Sequence, residues 1–164
     1  MKTLYIVRHA KADRETKIGD DINRPITSVG IEKTKKIIHY LNSLHISVDY
    51  IVTSAAKRAN NTAELIAKGI DFPLNQIKIN EKIYLADTND IFDIVSLFPN
   101  DKDSAMIIGH NPTITFFANQ FLENKVDYLP TSAVICIIFK TENWSDFSTA
   151  NYITNFIAYP KMLK

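Results

Sequence analysis

Residues 4–12 read Leu-Tyr-Ile-Val-Arg-His-Ala-Lys-Ala, and the abrupt change at position 8 organises the reading of the whole chain. Four consecutive strand-forming apolar residues closed by Arg8 and His9 are the pattern of a strand buried on both faces. A strand with one wet face would alternate instead. Doubly buried strands belong to sheets covered by helices on either side, so further apolar runs separated by helices are expected downstream. Residues 50–52 (Tyr-Ile-Val) and 105–108 (Ala-Met-Ile-Ile) supply such runs.

Helical periodicity fills the gaps between them. Ile31, Ile37, Ile38, Leu41 and Leu44 fall on one face of a helix that Thr27 or Ser28 can cap. A second helix starts after Ser54 and runs through Ala59, Ala63, Leu65 and Ile66 to a stop at Gly69, and a third covers residues 91–97 before Pro99. After Gly109, Asn111 is placed to cap, and Pro112 to open, a helix carrying Phe116, Phe117, Phe121 and Leu122. The chain then changes character: residues 134–139 and 152–157 read as strands around a polar turn with Asn143, Ser145 and Asp146, a pair suited to an antiparallel edge. The alternation predicts one α/β domain over residues 1–164, a sandwich on a mainly parallel sheet with that antiparallel C-terminal edge. Residues 11–25, polar and without periodicity beside the end of the first strand, read as a functional loop.

Composition narrows the function classes. Hydrophobic residues make up 46% and charged residues 23%, the balance of an ordinary globular protein. Nineteen basic against eighteen acidic side chains give a net charge of +1, so no overall field would hold the chain on nucleic acid or anionic lipid. No apolar run approaches the ~18 residues of a membrane span, and residues 4–7 are too short for a signal-peptide core, so a cytoplasmic location is expected. Cys136, the one cysteine, lies in an apolar run and is expected to pack as a small hydrophobe.

In an open α/β sheet, ligands gather beyond the carboxyl ends of the strands. Arg8 and His9 follow the first run, Ser54 and Arg58 the second, and His110 the third, so two arginines and two of the four histidines converge on one rim. Such a rim suits an anion, and phosphate best, because each oxygen can accept a charge-assisted bond from a guanidinium or an imidazolium. The helix after Asn111 and Pro112 would add backbone N–H groups there. Binding needs only the arginines, whereas two histidines point to phosphoryl transfer. A neutral His9 would attack phosphorus while His110, held protonated by the anion, stabilises charge on the equatorial oxygens. With imidazoles titrating near ~6.5, the rate should fall on both sides of an optimum. Each residue alone has a plainer structural role; the joint placement at three strand ends carries the reading. His39 and His45 lack that placement and belong to a solvated helix face and its following loop.

Arg8-His9-Ala10-Lys11-Ala12 resembles the signature of the histidine phosphatase superfamily, specifically its small SixA-type phosphohistidine phosphatases. Asp21-Ile22-Asn23-Arg24-Pro25-Ile26-Thr27 with Gly30 resembles that group's loop and helix entry, and Ser54 to Arg58 with Ala59, Thr62 and Ala63 its second-arginine segment. Gly109-His110-Asn111-Pro112 is similar to its second histidine motif, and Thr131-Ser132-Ala133 to the short motif before a late strand. The resemblance implies a phosphoglycerate mutase-like three-layer fold, phosphorylation of His9, and Arg8, Arg58 and His110 holding the transferring group. It also implies a metal-independent reaction without cofactor, in keeping with the lack of metal-ligand spacing in the sequence. Asp13, Asp20 and Asp21 could mimic a metal site, but two nearby arginines would oppose a dication.

Larger members of that superfamily carry a carboxylic acid that protonates an alcohol leaving group, and here Glu81, after the strand-like residues 77–79, is the best positional candidate. A phosphohistidine substrate would tolerate its absence, since an imidazole leaves more readily than an alkoxide. Only 52 positions separate Arg58 from His110 (110 minus 58), little room for lids around a metabolite. The expected partner is therefore a phosphohistidine-containing protein, a phosphotransfer domain or a phosphocarrier. A small-molecule phosphomonoesterase and a phosphate- or phosphoprotein-binding module without turnover are the alternatives. A receiver-type domain would need an acidic pocket where this chain has Arg and His. The late apolar strands could serve as a dimer edge, and the sequence does not specify an oligomeric state.

Overall fold

A computed structural model of the protein describes residues 1–14, 17 and 19–164. The apolar runs form strands β1 (Lys2–Arg8), β2 (Tyr50–Thr53), β3 (Lys78–Ile79), β4 (Ser104–Gly109), β5 (Val134–Phe139) and β6 (Tyr152–Ala158). Between them lie helices α1 (Ser28–Ser43), α2 (Lys57–Gly69), α3 (Thr88–Ser96) and α4 (Thr113–Asn119). One six-stranded sheet has the order β3-β2-β4-β1-β5-β6. The pairs β3·β2, β2·β4 and β4·β1 are parallel; β5 runs antiparallel to both β1 and β6.

The unbroken apolar pattern of residues 4–7 has a direct structural cause. Leu4 and Ile6 point into a core shared with α3, α4 and the 3-10 turn Trp144–Thr149, whereas Tyr5 and Val7 point into a second core under α1 and α2. Both faces are dry, and each fully buried aliphatic side chain contributes about 1.5–3 kcal/mol. The division of helices follows from connectivity. The chain moves from β1 over β4 to β2 and on to β3, then reverses to β4, so right-handed crossovers place α1 and α2 on one face and α3 on the other. The expected three-layer sandwich is therefore the observed one.

Several boundaries differ from the sequence reading. Thr27 is the cap of α1, its hydroxyl accepting from the Gly30 N–H at 2.9 Å. The third helix starts three residues earlier than expected, because Asp87 and Asp90 form a reciprocal capping box. Asn111 does not cap α4: its side-chain amide donates to the Leu129 carbonyl at 3.0 Å and its oxygen accepts from the Thr115 hydroxyl at 2.6 Å. The helix opens one residue later, after Pro112, with no side-chain cap, and ends at Asn119, leaving Phe121 and Leu122 buried in the turn beyond and Phe116 exposed. The segment read as a polar turn holds Trp144 and Phe147, both fully buried. Trp144 also covers the ammonium of Lys2, which bonds to Asp103 at 2.8 Å and to the Asn100 carbonyl at 2.7 Å. Cys136 packs in the core as expected.

Candidate active site

The carboxyl ends of β1, β2 and β4 lie side by side, and Arg8 stands in register with Gly109. Their backbones are stitched beyond the last ladder bonds. His9 N–H donates to the Gly109 carbonyl at 3.2 Å, and Ser54 N–H to the Ile108 carbonyl at 3.2 Å. Ser132, from the loop entering β5, donates its N–H to the carbonyls of Arg8 (3.1 Å) and His9 (3.2 Å). A hydroxyl relay connects this turn to α2: Ala10 N–H donates to Thr62 Oγ1 at 2.9 Å, which donates to the Arg58 carbonyl at 2.7 Å. The four residues singled out in the sequence, Arg8, His9, Arg58 and His110, are thus assembled at one rim, with the two imidazoles 5.1 Å apart.

His9 is buried, and its Nδ1 lies 2.8 Å from the Ala10 carbonyl. A carbonyl oxygen only accepts, so Nδ1 carries the proton and Nε2 keeps its lone pair. Burial lowers the His9 pKa to about 3, with the charges of His110, Arg58 and Arg8 acting the same way against the Ala10 bond. His110 Nε2 sits 2.7 Å from the Ser54 hydroxyl, which also accepts from the Ala56 N–H at 3.1 Å. If Ser54 donates to Nε2, the His110 proton resides on Nδ1, and that atom is buried without a partner. Burial first, and Arg58 second, lower the His110 pKa to about 4. The expected charge on His110 is therefore not supplied by the protein itself; a bound anion would have to induce it. A neutral Nδ1–H can still donate.

The arginines are held from behind. Arg8 Nη1 donates to the Leu129 carbonyl at 2.8 Å. Arg58 donates through Nη1 to the Asp21 carbonyl at 2.8 Å and through Nη2 to the Asp21 carboxylate at 3.1 Å. Among the described residues the buried side-chain nitrogens and oxygens without a hydrogen-bond partner are three: Arg8 Nε, Arg58 Nε and His110 Nδ1. All belong to this rim. Two of them are guanidinium N–H donors, and the third is a donor when Ser54 donates to His110 Nε2; buried donors are normally satisfied, since each orphan costs about 1–3 kcal/mol, so in that tautomer the three suit an acceptor with several oxygens.

Sequence reasoning missed Tyr84 as a site residue, and it read Asp21 as part of the loop motif and as a possible metal-site mimic without placing it beside Arg58. Asp21 Oδ2 accepts from the Tyr84 hydroxyl at 2.5 Å and Oδ1 from Arg24 Nε at 2.9 Å. The Tyr84 bond, with Arg58 and Arg24, lowers the Asp21 pKa to about 2. The Tyr84 ring meets His110 edge-on at 5.7 Å and lies 5.9 Å from the Arg58 guanidinium. Asp21 lies within the loop read as functional, of which residues 15, 16 and 18 fall outside the described residues, but nothing in the sequence tied it to positions 58 and 84. Glu81 is exposed in the 3-10 turn Glu81–Ile83, and among the described residues no hydrogen bond joins it to the rim. His39 and His45 are exposed away from it. Among the described residues, no three of His, Cys, Asp or Glu are grouped so as to hold a metal ion, and no helix is long and apolar enough to cross a membrane. A cavity of about 270 Å³ opens beside His110, bounded by Tyr84, Leu85, Ala86, Pro112 and Thr113.

Comparison with known proteins agrees with this geometry. The sequence pattern of the histidine phosphatase superfamily (branch 1) matches residues 4–83. An uncharacterized protein of Picosynechococcus sp. is 36% identical over 64 residues, a match spanning 39% of this chain and 39% of that relative's length. Among solved structures, the protein histidine phosphatase SixA complexed with tungstate superposes with a TM-score of 0.82 at 19% identity over 99% of both chains. A SixA from Nakamurella multipartitia, described as a phosphohistidine phosphatase, gives 0.78 at 24% identity over 97% of this chain and 96% of its own. The phosphoserine phosphatase of Entamoeba histolytica in complex with 3-phosphoglyceric acid gives 0.65 at 14% identity over 96% of each. These likenesses establish the fold. Residues 4–83, which carry Arg8, His9 and Arg58, thus match the histidine phosphatase superfamily, and the elements that follow complete the same fold around His110.

Proposed function

We propose that the protein is a SixA-type phosphatase that hydrolyses a phosphoryl group through a covalent phosphohistidine on His9, and that its substrate is a phosphohistidine-containing protein. The observation that carries this reading is the trio of buried, unpartnered donors, Arg8 Nε, Arg58 Nε and His110 Nδ1, around an imidazole whose tautomer leaves Nε2 free to attack. The donors would bind the phosphoryl oxygens and stabilise their charge as the bond to the leaving group lengthens. His9 Nε2 forms a bond to phosphorus as the bond to the leaving nitrogen breaks. A substrate imidazole protonated on its other nitrogen departs neutral. Water then attacks the phosphorus on His9, the electron pair of the P–N bond returns to Nε2, and both water protons leave with inorganic phosphate.

The leaving group is where substrate classes diverge. An ester releases an alkoxide that wants a proton, and the carboxylate that borders the rim, Asp21, is kept ionised by Tyr84, Arg58 and Arg24. Glu81 is exposed and unconnected to the site, so it offers no assured acid. A phosphoramidate does not need one. We also propose that the reaction proceeds without a metal and in the cytoplasm, with a phosphotransfer domain or a phosphocarrier as partner. The cavity beside His110 favours a second reading, a small-molecule phosphomonoesterase, because it could seat a compact leaving group.

The test compares kcat/KM for a phosphohistidine protein, an aryl phosphate and phosphoserine, each with chelator present. The proposal expects the phosphohistidine protein to be preferred and the chelator to leave its rate unchanged. A small ester turned over with far higher kcat/KM, or loss of activity on chelation, would overturn the corresponding part.

A further inference from the structure

Resting on the phosphatase reading above, we propose that Asp21 is a positioning residue that aims Arg58: it engages one N–H on each terminal nitrogen of the guanidinium and so fixes the plane in which the unpartnered Nε and the remaining N–H bonds meet the phosphoryl group, while Tyr84 braces Asp21. The hydrogen bonds define the device. Arg58 Nη1 and Nη2 reach the carbonyl and the carboxylate of the same residue, at 2.8 and 3.1 Å, a two-point grip that fixes the guanidinium plane. The Tyr84 hydroxyl donates to the carboxylate oxygen that Arg58 uses, and its ring lies against both Arg58 and His110. Arg24 holds the other oxygen and donates through Nη1 to the Asp13 carbonyl at 2.9 Å, anchoring Asp21 to its own loop.

The geometry separates this role from simple charge balance. Arg58 is buried, whereas the Asp21 side chain is about a third exposed. The carboxylate and carbonyl of Asp21 engage the Nη1–Nη2 end of the guanidinium, and the unpartnered Nε lies at its base. A guanidinium freed at its terminal nitrogens could rotate and meet the anion through other donors or none. Displacements on the order of 1 Å cost up to a hundredfold in rate.

The experiment is a double-mutant cycle of Asp21→Ala and Arg58→Lys, read both as kcat/KM and as equilibrium binding of inorganic phosphate. Because Asp21 acts through Arg58, Asp21→Ala should cost on the order of ten- to a hundredfold in kcat/KM in the wild-type background and less than about twofold in the Arg58→Lys background, where no guanidinium is left to aim. Phosphate affinity should show the same non-additivity. Asp21→Asn, which keeps an acceptor for Arg58 and for the Tyr84 hydroxyl, should recover part of the lost kcat, and it replaces Asp21→Ala in the cycle if the alanine variant fails to fold. Equal losses in both backgrounds would overturn the proposal, since a purely structural role does not depend on which residue stands at position 58. If the wild type binds phosphate but turns nothing over, the phosphatase reading fails, and the binding cycle still decides the role of Asp21.

Discussion

Lowering the pH from about 7.5 to 5 would charge two imidazoles in the unfolded chain that the fold keeps neutral, and the size of the effect can be worked out. In the unfolded chain each titrates near ~6.5, whereas His9 and His110 are lowered to about 3 and about 4, chiefly by burial. Between these values the unfolded state binds more protons than the native state, so stability rises with pH through this window and is lost as pH falls. At pH 7.5 both forms are almost neutral and the cost is negligible. At about pH 5 the unfolded imidazoles are mostly charged and the folded ones are not, which favours unfolding by about 2 kcal/mol per histidine, about 4 for the pair. Urea unfolding of the wild type and of His9→Asn and His110→Gln at the two pH values reads this directly. Each variant should lose about 2 kcal/mol less on acidification than the wild type does. A wild-type pH dependence that both variants reproduce in full would refute the burial argument. Asp21 acts lower on the scale: its depressed pKa of about 2 gives stability that is present above the ordinary carboxylate range and disappears as pH falls toward 2.

Three further outcomes follow from single contacts. A Cβ on Gly30 would stand 2.5 Å from the Lys11 carbonyl, a backbone atom that also accepts from the Thr27 N–H, so Gly30→Ala should destabilise by about 1–3 kcal/mol; thermal unfolding measures this, and an unchanged Tm would contradict the packing. Ser54→Ala removes the hydroxyl partner of His110 Nε2, so kcat should drop on the order of tenfold through loss of the Nδ1–H tautomer; a wild-type kcat would show that Ser54 does not set the ring. Ring-nitrogen NMR should find His9 and His110 neutral at about pH 6 in the ligand-free protein, with His110 gaining proton occupancy as phosphate binds; an imidazolium in the free protein would contradict the burial of both rings.

The layered fold was legible in residues 4–7, because an unbroken apolar tetrapeptide closed by Arg8 leaves few places for a strand other than the middle of a covered sheet. The rim was legible for the same reason: strand ends mark where His9, Arg58 and His110 must lie. The start of α4 was not, since the Asn111 side chain turns from the capping role that its position suggests to the Leu129 carbonyl, 18 residues away. Nor was the burial of Trp144 and Phe147, which lie among polar neighbours and show no periodicity. The Asp21–Arg58–Tyr84 cluster spans separations of 37 and 63 residues with no local signal. The neutral state of His110 was hidden in the same way, because the ring's burial depends on packing by distant segments.

The central claim is that phosphate passes through His9 Nε2. Rapid quenching of the protein with a phosphohistidine protein or an aryl phosphate, followed by peptide mapping at alkaline pH, should find an acid-labile phosphoryl group on His9 in the wild type. His9→Ala should show neither that adduct nor turnover. Full turnover by His9→Ala, or a wild-type adduct on any other residue, would contradict the account.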